Sequence, residues 1–219
     1  MTFEDRPDAG RKLAERLRAY ADRQDVLVLG MPRGGVPVAF EVAQALHAPL
    51  DVFLCRKLGV PLQEELAFGA IALGGVRVLD EQIVEAAGLG RSEIDAITAR
   101  ERRELERRED VYRAGRAPLD VAGRTVIIVD DGIATGASMF ASVRALRLLK
   151  PARIVVAVPV APDSTCRRLG REVDELVCVH RPSSFYAIGQ YYLDFKQLTD
   201  GEVVELVERA AAPALVAKA

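Results

Sequence analysis

Two adjacent carboxylates, Asp130 and Asp131, stand between an apolar run and a stretch of small residues, Gly132-Ile133-Ala134-Thr135-Gly136-Ala137-Ser138. The run at 126–129 is all Val and Ile, the composition of a strand buried on both faces. Beyond the small residues, Phe140, Val143, Leu146 and Leu148 mark the apolar side of a helix. A strand opening through such a loop into a helix start presents unpaired backbone N–H groups and the positive end of the helix dipole to an anion. Thr135 and Ser138 add hydroxyl donors, and Gly132 and Gly136 let the backbone approach a ligand closely. Ionised carboxylates only accept hydrogen bonds and suit hydroxyls, whereas loop amides donate and suit phosphate. A sugar phosphate needs both.

A second loop of this kind lies upstream. Residues 26–29 are a buried strand by composition, and Gly30-Met31-Pro32-Arg33-Gly34-Gly35 leads into a helix over about 36–46. The glycine spacing fits neither the dinucleotide fingerprint nor a Walker A loop. Its glycines admit an anion, and Arg33 supplies a planar donor fork matched to phosphate oxygens. A third apolar run at 50–55 ends in Arg56-Lys57, which places two cations at a strand's carboxyl end, facing the same crevice. His47 reads as a surface residue at a helix end.

These residues reach a known family. Residues 126–138 resemble the phosphoribosyl-pyrophosphate (PRPP) motif of type I phosphoribosyltransferases: four apolar residues, two acids, two variable residues, then a small-Thr-Gly-x-Ser loop. Arg33-Gly34-Gly35 resembles the pyrophosphate loop of the same enzymes, especially the bacterial xanthine-guanine type. The resemblance implies transfer of the ribose 5-phosphate of PRPP to a nucleobase with release of pyrophosphate. Asp130 and Asp131 would hold the ribose hydroxyls and favour positive charge developing near C1. The loop from Gly132 to Ser138 would anchor the 5′-phosphate. Arg33, the Gly34 and Gly35 amides, Arg56 and Lys57 would hold the pyrophosphate together with Mg²⁺. That ion would touch Asp131 and Asp194 through water or substrate. The resemblance further implies a homo-oligomer, a dimer. Ala134 stands where hypoxanthine-guanine enzymes carry an acid proposed to work on the base. Adenine-type enzymes also have a small residue there.

The tail bears on the acceptor. Residues 185–195 concentrate aromatics in a chain with seven Phe, five Tyr and no Trp. Aromatic faces stack on planar bases, and an Asp accepts from an exocyclic amine. Tyr191-Tyr192-Leu193-Asp194-Phe195 resembles the Tyr-x-Leu-Asp-Tyr base-pocket stretch of hypoxanthine-guanine transferases, with the spacing back to Gly189 one residue longer. Phe185, Tyr186, Tyr191, Tyr192 and Asp194 are therefore the candidate base-binding residues, and a purine is the expected acceptor. The other reading is a core cluster pinning a last helix at 201–210.

The remaining pattern supplies the scaffold. A helix is expected at 7–23, with Asp5 and Pro7 as start signals. A β-hairpin with a Gly74-Gly75 turn is expected within 66–79, then a short helix at 81–87 and a long charged helix at 92–113. Further strands are expected at 153–160 and 175–179, around a short helix at 163–169. The expected fold is α/β: one domain over 1–219, with a doubly wound parallel sheet of about five strands. Residues 58–116 form an insertion with a mobile loop, and 180–219 a hood-like base-pocket segment. The arginines of the long helix are interleaved with acids, and Glu104/Arg108 and Glu109/Arg113 form i,i+4 pairs, which reads as a solvated or intersubunit face.

Composition excludes little else. The 219 residues carry 30 basic and 32 acidic side chains, a formal charge of −2, so no global charge draws in nucleic acid or anionic membranes. Mean hydropathy is +0.09. Residues 1–25 lack the apolar core of a signal peptide, and no run approaches the ~18 apolar residues of a membrane helix. Cys55, Cys166 and Cys178 lack metal spacing and read as reduced core thiols. A cytoplasmic protein is expected. A PRPP- or nucleotide-binding regulator on the same fold, touching RNA through the arginine-rich helix, is the alternative function.

Overall fold

The computed structural model describes residues 1–211, with the side chains of Glu64 and Glu65 excepted. Five parallel strands form the main sheet, in the spatial order β2 (Leu50–Val52), β1 (Val26–Gly30), β6 (Thr125–Val129), β7 (Arg153–Val160) and β8 (Glu175–His180). Every residue of β1 and β6 is buried, which is why their sequences are continuous apolar runs rather than alternating ones. Alternate residues still serve different layers. Val26, Val28, Ile127, Val129 and Val155 pack with Leu13 and Leu17, and with Val38 and Val42 of α2 (Gly35–Leu46). Leu27, Leu29, Val126, Ile128 and Val156 pack on the opposite face. Their partners there are Met139, Val143 and Leu146 of α5 (Ala137–Leu148) and Leu169 of α6 (Asp163–Leu169).

β1 pairs with β6 from Val26↔Thr125 to Gly30↔Val129, so the two strands end level. The chain leaves β1 for α2 on one face and β6 for α5 on the other. Their loops therefore meet at the topological switch point, where doubly wound sheets bind ligands.

The insertion is a three-stranded antiparallel meander, β3 (Cys55–Val60), β4 (Gln63–Ala72) and β5 (Val76–Leu79). The Gly74-Gly75 turn is as expected, with both glycines at positive φ. The run at 50–55 is not one strand, however. β2 ends at Val52, Phe53 enters the core beneath the main sheet, and Leu54 enters a separate core under the meander. One apolar run feeds two cores. Arg56 and Lys57 consequently open the antiparallel strand β3 instead of ending a parallel one.

The short helix α3 (Glu81–Ala86) is capped by Asp80. It precedes α4 (Arg91–Arg113), which packs Ile94, Ile97, Leu105 and Tyr112 on the meander. Glu104–Arg108 and Glu109–Arg113 pair at 2.7 and 3.2 Å. α4 is not purely a solvated face: Arg113 is 5% exposed and reaches Asp51 of β2 at 3.0 Å. The first helix, α1 (Arg6–Arg16), is shorter than expected, and a 3₁₀ turn at Arg18–Tyr20 follows it. Its start is as expected, with the Asp5 carboxylate accepting from the Asp8 amide. His47 caps α2 on the surface and pairs with Asp22. The last helix is α7 (Asp200–Ala211). Among the described residues no helix is long and apolar enough to cross a membrane.

Candidate active site

The β6–α5 loop has the geometry of an anion cradle. Gly136 adopts φ 85°, in the left-handed region that favours glycine, and caps α5. Phe140 N donates to Gly136 O at 2.8 Å, which leaves the earlier amides of the turn without helical acceptors. Thr165 of α6 supports the loop from outside by donating its hydroxyl to Ala134 O at 2.8 Å. Ala134 and Thr135 are exposed and Ser138 is exposed on the first turn of α5. Ile133 differs from the expectation for a ligand-facing residue: its side chain is buried in the core and its amide donates to Val160 O. It anchors the loop. A Cβ on Gly132 would come within 2.6 Å of Ile188, so the tail lies directly against this turn.

A cavity of about 420 Å³ opens beside the cradle, lined by Met31, Arg56, Lys57, Glu101, Asp130 and Ser138 among others. Of the residues singled out from the sequence, one acid, one loop hydroxyl and the two cations thus line a single space. Arg56 is held by Glu101 at 2.9 and 2.5 Å, and Arg100 joins the same carboxylate at 3.1 Å. Glu101 was not foreseen, because on the sequence it is one acid among many in a mixed-charge helix.

The two acids of the pair do not share one environment. Asp130 lines the cavity, whereas the Asp131 carboxylate accepts from Arg6 Nε at 2.8 Å, with the two side chains 11% and 10% exposed. Burial and the neighbouring Asp131 charge push the Asp130 carboxyl well above the usual carboxylate range. Burial also raises Asp131, against the pull of the Arg6 guanidinium. A Cβ on Gly34 would overlap the Asp131 carboxylate, and one on Gly35 would lie 2.6 Å from Val129 O. The two glycines of the β1–α2 loop are therefore required by its contact with the acid loop. The Gly35 amide donates to Met31 O at 2.9 Å, so it is engaged within its own loop. The Pro32–Arg33 peptide bond is cis. Arg33 does not reach the cavity lining; its guanidinium lies 4.0 Å from Asp200 at the start of α7.

The tail divides. Phe185 and Tyr186 line a second cavity, of about 670 Å³, together with Ala134, Thr135 and Thr165. Tyr186 is 88% exposed. Tyr191 and Tyr192, expected to face a base, are instead both buried in a cluster with Phe3, Ala9 and Val160. Tyr191 stacks on Phe185 with ring centroids 5.5 Å apart, and Tyr192 donates its hydroxyl to Asp131 O at 2.5 Å. Asp194 pairs with Lys196 at 2.7 Å and lines a separate cavity with Asp5, Arg6 and Pro37. Backbone bonds between residues 3–4 and 191–194 explain this placement, because the chain ends pair and turn the Tyr-Tyr pair inward.

A parallel sheet with phosphate-type loops meeting at its switch point is the architecture of type I phosphoribosyltransferases. The phosphoribosyl transferase domain profile matches residues 3–196, and the chain belongs to that family. A Mycobacterium tuberculosis protein, named only provisionally as a phosphoribosyl transferase, is 50% identical over 208 residues. That match covers 95% of this chain but 47% of the mycobacterial one, so the chain spans about half the length of that curated relative. The bifunctional protein PyrR of Chloroflexus aurantiacus is 31% identical over 159 residues, covering 67% of this chain and 81% of PyrR. The crystal structure of a Thermus thermophilus protein superposes with a TM-score of 0.87 at 42% identity, covering 95% of this chain and 99% of the other.

Proposed function

We propose that the chain transfers the 5-phosphoribosyl group of PRPP to a nucleobase, a purine in this reading, and releases pyrophosphate. The observation that carries the proposal is the convergence of Asp130, Ser138, Arg56 and Lys57 on one cavity at the switch point. In this reading the amides and hydroxyls of residues 134–138 hold the 5′-phosphate. Asp130 accepts from a ribose hydroxyl and favours the positive charge that develops as the bond from C1 to pyrophosphate breaks. Arg56 and Lys57 stabilise the departing anion, and removing one such preorganised donor costs on the order of 10²–10³ in rate. The base enters from the side of Phe185 and Tyr186, stacks on their rings, and attacks C1 through a ring nitrogen. The side chain of Ala134 cannot carry its proton.

Mg²⁺ would neutralise charge on the pyrophosphate. Among the described residues no group of three or more His, Cys, Asp or Glu side chains gathers to hold a metal ion. Of the carboxylates on the cavity, Glu101 is committed to Arg56 and Arg100. The residues therefore suit an ion held chiefly by substrate oxygens and water, with Asp130 beside it.

Incubating the protein with PRPP, Mg²⁺ and a panel of purine and pyrimidine bases, with release of pyrophosphate as the readout, tests the proposal. Turnover with a purine is the expected result. Tight PRPP binding without turnover of any base would instead support a PRPP-binding regulator. A homodimer is part of the same reading, and light scattering coupled to size-exclusion chromatography tests it.

A further inference from the structure

Asp131 is enclosed by contacts that leave little opening for a ligand. Arg6, the first residue of α1, donates Nε to Asp131 Oδ2 and Nη1 to Lys196 O, both at 2.8 Å. Its guanidinium carbon lies 4.0 Å from the centroid of the Phe195 ring. The Tyr192 hydroxyl holds the Asp131 carbonyl, and the backbone of Gly34 lies against the carboxylate so closely that no Cβ fits. The Asp130 carboxylate is also partly buried and accepts from the Asp131 amide at 2.9 Å, but it faces the cavity and helps to line it. The difference has a simple origin, since successive residues leaving a strand point to opposite sides of it.

Charge argues the same way. Two uncompensated carboxylates facing a ligand rich in phosphate would repel it, and like charges this close also oppose each other's ionisation. With Arg6 on Asp131, the ligand meets one net negative side chain.

We propose that Arg6 is a positioning residue: it holds Asp131 against the Gly34 turn, so that Asp131 fixes the loop carrying Arg33 and Asp130 alone receives the ribose hydroxyls. The proposal rests on the PRPP reading above. It reassigns one member of the acid pair from ligand contact to the join between the two strand-end loops. Arg6 then acts on PRPP only through the shape of those loops.

The sign of one effect tests this. PRPP affinity is measured by calorimetry, with Mg²⁺, on the folded wild-type protein and on Arg6→Gln, Arg6→Lys, Asp131→Asn, Asp130→Asn and the Arg6→Gln/Asp131→Asn double variant, each below its melting transition. Arg6→Gln should weaken PRPP binding by on the order of tenfold, because the loops lose register. Arg6→Lys, which keeps the charge, should recover most of that loss. The double variant should bind no worse than Arg6→Gln, since both changes break one join. The Asp130→Asn loss should be larger and arise with little change in melting temperature.

Unchanged or tighter PRPP binding by Arg6→Gln overturns the proposal, because Arg6 would then be idle or a plug that competes with ribose for Asp131. Should Arg6→Gln fail to fold, a crystal structure of the wild-type protein with PRPP and Mg²⁺ decides the point. Arg6 is expected to remain on Asp131, and ribose hydroxyls on Asp131 with Arg6 displaced would overturn the idea. A wild-type protein that binds no PRPP at all defeats the proposed function itself, an outcome distinct from either of these.

Discussion

The Asp131 carboxylate occupies the volume that a Cβ on Gly34 would need. The loop after β1 and the loop after β6 are thus fitted to each other across the switch point at a position where one extra carbon cannot be accommodated. Gly34→Ala should therefore destabilise the protein by about 1–3 kcal/mol, as overpacking does, and should weaken PRPP binding as the loops part. Chemical denaturation and calorimetry read the two effects. A variant as stable as the parent would show that the contact yields without cost.

The acid pair makes opposite demands on stability and binding as pH changes. The folded-state pKa of Asp130 is raised by burial and by the charge of Asp131, so the folded protein keeps a proton that the unfolded chain has released. That contribution to stability is present at low pH and is lost as pH rises through the raised value. Ligand binding runs the other way, because a ribose hydroxyl needs the ionised acceptor. PRPP affinity should fall on acidification at a pH above that of an ordinary carboxylate. In Asp131→Asn the like charge is gone, so the acid limb should move to lower pH. Calorimetric titrations across the acidic range check this, and coincident limbs in the two proteins would contradict it.

Tyr192 and Tyr186 should separate cleanly. Tyr192→Phe deletes the hydroxyl on the Asp131 carbonyl and should cost about 0.5–1.5 kcal/mol of stability, with the KM for the base unchanged. Tyr186→Ala removes an exposed ring from the second cavity and should raise the KM for the base with no loss of stability. Steady-state kinetics with the accepted base, paired with thermal melting, distinguishes them. A base KM that moved with Tyr192→Phe would restore that residue to the pocket.

Asp51 tests how α4 is joined to the main sheet. It binds Arg113 at 3.0 Å and Arg116 at 3.2 Å, and Arg113 is almost wholly buried. Asp51→Asn removes one of the two carboxylates on that guanidinium, leaving Glu109 and the Ala117 carbonyl, and should destabilise by about 1–3 kcal/mol. PRPP affinity measured below the transition should not change. Urea unfolding gives the first quantity and calorimetry the second.

Much of this arrangement was legible from residue types because β1 and β6 are buried on both faces, which forces uninterrupted Val, Leu and Ile. The cradle was legible because an acid pair and a run of Gly, Ala, Thr and Ser stand between a buried strand and a helix start; the left-handed turn at Gly136 is what the structure adds. What escaped did so for physical reasons. Residues 50–55 read as one strand because apolar character reports burial without saying in which core, and Phe53 and Leu54 enter different ones. Arg6 escaped because an arginine in the first turn of an amphipathic helix looks like solvent contact, and its partner lies 125 residues away. The one residue beside it whose type asks for burial is Phe3, and its ring is indeed wholly enclosed. The Tyr191-Tyr192 pair misled in the opposite sense, since aromatic rings suit a base and a core equally well.

The pairing of Phe3 with Tyr192 has a consequence for the order of assembly during synthesis. Arg6 waits for an acid 125 residues later, Asp131 waits another 61 for Tyr192, and the Arg6–Lys196 bond spans 190 residues. Contacts of such separation form late, after the loop-closure cost has been met by nearer ones. Strands β1 and β6 can associate on a growing chain, yet the groove between their loops acquires its final shape only when the tail has left the ribosome. Under the proposed function, a fragment that stops before residue 191 would lack the Tyr192 and Lys196 contacts to Asp131 and Arg6, and should bind PRPP more weakly than the longer chain.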